Sequence, residues 1–144
     1  MRDEPDFDLK DFLPYLLNLA AEEASLGFQV HYKTRYGMLR TEWRVLFHLG
    51  RYGEMTAKEI CDRAQLHKTV VSRAVAKLEA RRFLRRREMA QDRRAEVLAL
   101  TDQGHAAYAE LRTQAQAYEA RLAAPFTAQE AAALRKALKL LAKL

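Results

Sequence analysis

The eleven residues QDRRAEVLALT, Gln91 to Thr101, place two guanidinium groups directly after a carboxylate and then run into an apolar segment. A carboxylate two residues before an arginine can fix that guanidinium through a bidentate bond. Asp92 is therefore expected to orient Arg94, with Arg93 beside it. The surrounding stretch is strongly cationic. Between His67 and Arg94 there are ten Lys or Arg against three acids, Glu79, Glu88 and Asp92, so this segment stands at +7 while the whole chain carries +6. Charge gathered in this way fits a polyanion; a solvated basic face with no partner is the plainer alternative. Enzymatic chemistry finds no footing, because the sequence has no H-E-x-x-H, no C-x-x-C, no glycine-rich phosphate loop and no nucleophile elbow. The four histidines, His31, His48, His67 and His105, show no i, i+4 pairing, and Cys61 is the only cysteine. No metal site and no cofactor is expected.

The elements that must position these charges read as helices. Ala and Leu dominate, with five Gly and three Pro in 144 residues, a composition that favours helix. The length fits one domain, residues 1–144. Asp11 and Pro14 mark the start of a helix through about Arg35. Thr41 reads as an N-cap with Glu42 in the first turn; Trp43, Leu46, Phe47 and Leu49 then form an apolar face, and Gly50 and Gly53 end it. Thr56 to Glu59 has capping-box spacing. The helix it opens carries Ala57, Ile60, Cys61 and Ala64 on one face, which makes Cys61 an inert core thiol.

The next helix, about Lys68 to Arg82, has Val71, Ala74, Val75 and Leu78 in one stripe. At 100° per residue, Thr69, Arg73, Ala76 and Ala80 lie opposite, with Ser72 and Lys77 on the flanks. FLRRREM and AEVLAL then read as strands joined by the five-residue turn AQDRR. Thr101 caps a helix with Leu111, Ala115, Tyr118 and Leu122 in its stripe, which stops near Pro125. A second capping box, Thr127 to Glu130, opens a last helix bearing Leu134, Leu138 and Leu141.

Two short helices joined by a tight turn and followed by a basic hairpin make a winged helix-turn-helix. The major groove of B-DNA, about 12 Å wide, admits one helix, and the Thr69–Arg73 face belongs to a helix that could enter it. Thr69, Ser72 and Arg73 are the candidates for base edges, and Lys68 and Lys77 for phosphates. Arg94 is the candidate for a narrow minor groove, with Asp92 as its orienter and Arg93 as a phosphate neighbour. Arg85 to Arg87 alternate along a strand, so not all three can face DNA.

LHKTVVSRAVAKLEARRFLRR followed by QDRRAEVLALTDQG resembles the MarR family of bacterial transcription regulators. The shared pattern is a recognition helix ending in Leu78-Glu79, an Asp92-Arg93-Arg94 wing, and the junction Leu100-Thr101-Asp102-Gln103-Gly104. Helix order extends the likeness from about Leu9 to Leu144. The resemblance implies a mainly α fold with a small β-hairpin wing. In it, residues 41–100 form the winged helix-turn-helix, and helices within 9–36 and 102–144 form a homodimer layer. It implies a repressor that binds a pseudo-palindromic operator in double-stranded DNA. It further implies a small phenolic or aromatic-acid effector in a crevice that His31, Tyr32, Tyr36, Trp43, Arg44 and Tyr52 could line.

There are departures. His67 stands where the family often has Ser, and Val70 where Thr or Ser is frequent. His67 could cap the helix or touch DNA, and Val70 could meet a thymine methyl. The N-terminal cysteine of the peroxide-sensing relatives is absent. A winged module used for protein docking, with only non-specific DNA affinity, is the alternative. No apolar run approaches the roughly 20 residues of a membrane span, the first residues lack a signal-peptide core, and a single thiol fits the cytoplasm.

Overall fold

Helix α1 (Leu13–Tyr36) follows a 3-10 turn at Leu9–Asp11. The computed structural model describes residues 6–89 and 91–144, without the side chains of residues 92–95. Then come α2 (Arg40–Tyr52), β1 (Met55–Thr56), α3 (Ala57–Ala64), α4 (Lys68–Ala80), β2 (Leu84–Met89), β3 (Asp92–Leu100), α5 (Asp102–Ala123) and α6 (Ala128–Leu141). The mainly helical class with a small sheet is as the sequence indicates. Two compact units divide the chain, Met1–Leu111 and Arg112–Leu144.

The first unit holds the core. The expected stripe of α4 is buried in full: Val71, Ala74, Val75 and Leu78 are each at most 2% exposed. They share the interior with Val45, Leu46 and Leu49 of α2, Ile60 of α3, and Leu84 and Leu98 of the sheet. Each such aliphatic side chain contributes about 1.5–3 kcal/mol when fully buried. The sheet is antiparallel in the order β1-β3-β2. Its central strand buries Val97 to Leu100 consecutively, because both neighbours and the helices cover it.

Several local expectations need correction. Phe12, not Asp11, is the residue before α1. Thr41 lies inside α2, whose N-cap is Leu39. The Leu39 N–H donates to Glu42 Oε2 at 2.7 Å, so the reach of a carboxylate from the third helical position outweighs the hydroxyl at Thr41. Gly50 does not end α2. The helix continues to Tyr52 and stops at Gly53, with φ 83°. At Gly50 the Tyr108 ring packs against the backbone where a Cβ would stand. Helix α4 ends at Ala80 rather than Arg82, and Arg82 turns the chain with a left-handed φ of 65°.

The two-residue β1, absent from the sequence reading, pairs Met55 with Leu98 and Thr56 with Val97. Only two residues separate β2 from β3. Asp92, Arg93 and Arg94 therefore belong to a strand, and not to a five-residue turn. The register shifts between Glu88 and Met89.

In the second unit Thr127 closes its capping box as expected. Its N–H donates to Glu130 Oε1 at 2.9 Å, and the Glu130 N–H donates to Thr127 Oγ1 at 3.1 Å. Arg135 of α6 reaches Glu119 of α5 at 2.9 Å. No residue of α6 is buried, and Leu134, Leu138 and Leu141 are all exposed.

Candidate nucleic-acid interface

Between α3 and α4 the chain reverses at Gln65, in the left-handed region at φ 52°, and the Leu66 N–H donates to the Cys61 carbonyl at 3.2 Å. His67 is then the N-cap of α4, its Nδ1 accepting the Thr69 N–H at 3.2 Å. With Nδ1 used as acceptor, a neutral His67 ring carries its proton on Nε2. The capping role foreseen for His67 is thus present, and it leaves Nε2 unused by the cap.

On α4, Thr69, Arg73, Ala76 and Ala80 are exposed opposite the buried stripe, and so are Lys68, Ser72 and Lys77. The outer face is short-chained between its cations, so a helix-sized groove can approach the backbone closely. Two depressions flank it. One, about 530 Å³, is bordered by Leu39, the N-cap of α2, by Thr41 of α2 and by Val70, Arg73 and Lys77 of α4. The other, about 410 Å³, is bordered by Lys58, Cys61, Lys68, Ser72 and Arg86. Cys61 is half-buried and faces this second depression, and Ala57 is exposed beside it. The inert core thiol expected from helical spacing is corrected accordingly.

The wing's arginines are sorted by acids that sequence reasoning missed. Arg86 donates to Glu79 Oε2 and to Glu96 Oε2, each at 3.1 Å, and Arg87 pairs with Glu54. The Glu96 bond is the main cause, against a partial desolvation cost, that raises the Arg86 pKa. The Arg87 bond holds the Glu54 carboxyl below its usual 4.5. The available signal was sign alternation: Arg86 and Glu96 lie on adjacent strands two residues off register, a diagonal at which long side chains meet. The expected roles of Asp92, Arg93 and Arg94 lie outside the described side chains.

The proposed crevice residues separate. Tyr32, Trp43 and Arg44 line one cavity of about 280 Å³ with Ser25, Phe28 and Arg40. Those last three escaped the sequence reading. His31 packs its ring on Phe28, 5.6 Å between centroids, and is not among the lining. Tyr36 is elsewhere: its hydroxyl donates to Glu110 Oε2 at 2.8 Å, and burial, then that carboxylate, push its pKa above the usual 10. Tyr52 lies under the Arg63 guanidinium at 4.4 Å. Arg44 donates to the Ala64 carbonyl at 2.9 Å. Trp43 Nε1 is buried and has no hydrogen-bond partner among the described residues. Among the described residues no three His, Cys, Asp or Glu are grouped to hold a metal ion, and no helix is long and apolar enough to cross a membrane.

A helix-turn-helix followed by an antiparallel wing, with cations on the outward face of the second helix, defines a winged-helix DNA-binding transcription regulator. A family model described as "MarR family" matches residues 36–95. The crystal structure of the MarR family transcriptional regulator SPO1453 from Silicibacter pomeroyi DSS-3 is 31% identical, with a TM-score of 0.78, and the alignment covers 94% of this chain and 99% of that one. The chain belongs to the MarR family.

The uncharacterized HTH-type transcriptional regulator YwoH of Bacillus subtilis (strain 168) is 30% identical over 91 residues. That match spans 63% of this chain and 66% of YwoH, just under two thirds of its length. The same fold, at 18% identity and a TM-score of 0.86, occurs in Bordetella bronchiseptica BpsR, covering 97% of this chain and 99% of that one. That structure concerns the regulation of BpsR's DNA binding by 6-hydroxynicotinic acid.

Proposed function

We propose that this chain is a sequence-specific, homodimeric repressor that binds a pseudo-palindromic operator and answers to a small aromatic acid. The observation that carries the reading is the exposed Thr69–Arg73 face of α4, backed by a fully buried stripe that fixes which side chains point outward. Thr69, Ser72 and Arg73 contact base edges. Lys68 and Lys77 neutralise phosphates, and Nε2 of the His67 cap is free to donate to another. Arg94 enters the minor groove, oriented by Asp92 with Arg93 alongside. Residues 41–100 do this work; residues 9–36 and 102–144 supply the dimer helices. Exposed leucines on α1 (Leu13, Leu16, Leu19) and on α6 (Leu134, Leu138, Leu141) support that assignment, since apolar rows of this kind are normally covered by a partner.

The effector reading rests on the crevice of Tyr32, Trp43 and Arg44. Aromatic walls and the guanidinium groups of Arg40 and Arg44 suit a carboxylate on a single ring. The volume is just below the roughly 300–1,000 Å³ of ordinary ligand pockets. The acid that regulates BpsR has this chemistry. The reading assigns no turnover to the protein and places it in the cytoplasm.

Selection of the purified chain against a random duplex library at physiological salt tests the reading. Two recognition helices of a dimer should enrich an inverted repeat with half-sites about 34 Å, one turn, apart. Weak binding that enriches no sequence would instead assign the chain to protein docking.

A further inference from the structure

Arg81 is the C-cap of α4, and its side chain leaves the helix to reach α1. Its Nη1 donates to the Tyr36 carbonyl at 2.8 Å and to the Gly37 carbonyl at 2.7 Å. These are the acceptors where α1 ends. Gly37, at φ 64°, closes that end, its N–H donating to the Lys33 carbonyl and that of Met38 to the Tyr32 carbonyl. A cation carried on the C-cap residue of α4 therefore sits at the carbonyl end of α1, which bears about half a negative charge. A Cβ at Gly37 would stand 2.5 Å from Nη1, so any side chain there would oblige the guanidinium to shift. Phe83, two residues on, packs edge-to-face on Tyr36 at 5.9 Å. Otherwise α4 packs mainly on α2, α3 and β2.

We propose that Arg81 is a positioning residue: its guanidinium pins the end of the recognition helix to the end of α1 and so sets the angle at which Thr69 and Arg73 meet the groove. The inference rests on the operator-binding reading above. The lever is long enough to matter. Thirteen residues at 1.5 Å each make a rod of about 18–20 Å, so a tilt of about 10° at the pinned end moves the far end by about 3 Å. Base contacts tolerate about 0.5 Å. Phosphate attraction, which is long-ranged, tolerates far more. Operator binding and non-specific binding should therefore respond differently to loss of the pin.

The test uses the full chain with Arg81→Gln, Arg81→Lys and Gly37→Asn. Asn accepts left-handed backbone, but its Cβ takes the guanidinium's place. Affinity is measured for the selected operator and for a random-sequence duplex across a salt series, with amide hydrogen exchange of residues 33–40 and 77–84. Arg81→Gln and Gly37→Asn should each lose about tenfold on the operator, within the range of coupling changes seen for residues that touch no ligand. The random duplex and the salt slope should be unchanged. Exchange should rise in those two segments, and Arg81→Lys should keep most of the operator affinity.

Unchanged operator binding in both Arg81→Gln and Gly37→Asn overturns the proposal. So does equal loss on both duplexes with a slope reduced by about one, which would make Arg81 a phosphate contact. If the unaltered chain selects no operator, the regulator reading fails by itself. Exchange then decides the pin: a rise confined to the two segments supports it, and unchanged exchange overturns it.

Discussion

Arg73 lies one turn along α4 from Thr69, at the centre of the exposed face, whereas Lys77 lies a further turn on, at its flank. The two cations are expected to behave differently. Arg73→Ala should lower operator affinity by about 1–3 kcal/mol and relax the preference at one position, leaving the random duplex nearly unaffected. Lys77→Ala should weaken both duplexes alike and flatten the plot of log affinity against log salt by about one. A paired titration of both variants against both duplexes checks this, and exchanged signatures would reverse the two roles. At this scale the sequence was a good guide to α4. A 3.6-residue period with four small or branched apolar residues leaves one way to bury the helix, and that fixes Thr69, Ser72 and Arg73 outward. It was a poor guide to the crevice. Tyr36 and Tyr52 are aromatic in the same region, but which ring meets Trp43 depends on how α1 and α2 cross, and no local spacing encodes that.

The junction of β3 and α5 shows how elements constrain one another. Thr101 Oγ1 donates to the Arg82 carbonyl at 2.6 Å and accepts the Gly104 N–H at 3.0 Å. Gly104 is buried, and a Cβ there would collide with the Phe83 carbonyl, which is backbone and has little freedom to yield. Gly104→Ala should therefore destabilise the fold by about 1–3 kcal/mol or more, as overpacking does; a denaturant melt at neutral pH reads it, and an unshifted midpoint would refute the collision. The pair of Arg87 and Glu54 ties β2 to the loop before β1. Because Glu54 is held below 4.5, its contribution is present in full above that pH and is lost as the pH falls through the lower folded value. The difference in Tm between the chain and Glu54→Gln should thus be constant near neutrality and shrink in acid. The capping box at Thr127 and the N-cap at Thr56 were legible because the capping residues are neighbours in the chain; at Thr56 the box is half formed, since the Glu59 carboxylate accepts from the Thr56 hydroxyl and not from its backbone N–H. β1 was not, since two residues become a strand only through Leu98 and Val97, over forty positions away. The wing turn was misjudged for a related reason: strand pairing with β2, not polarity, decides where β3 begins, and the polar start of a strand looks like a loop.

For the molecule as a whole, the exposed leucines of α6 lead to one expectation. Leu138→Glu should shift the chain toward monomer in sedimentation and, by breaking the spacing of paired recognition helices, cost operator affinity without unfolding the winged domain. A dimer that persists would move the interface elsewhere. Trp43 has a different consequence. It is the only tryptophan in the chain; its ring packs against Phe28, Tyr32 and Phe47, and its N–H is buried and unpaired among the described residues. An indole so placed should emit at short wavelength, and an acid seated against its ring in the cavity should change that emission. On the proposed effector role, Trp43 would serve as an optical gauge of crevice occupancy, read without a label and without DNA.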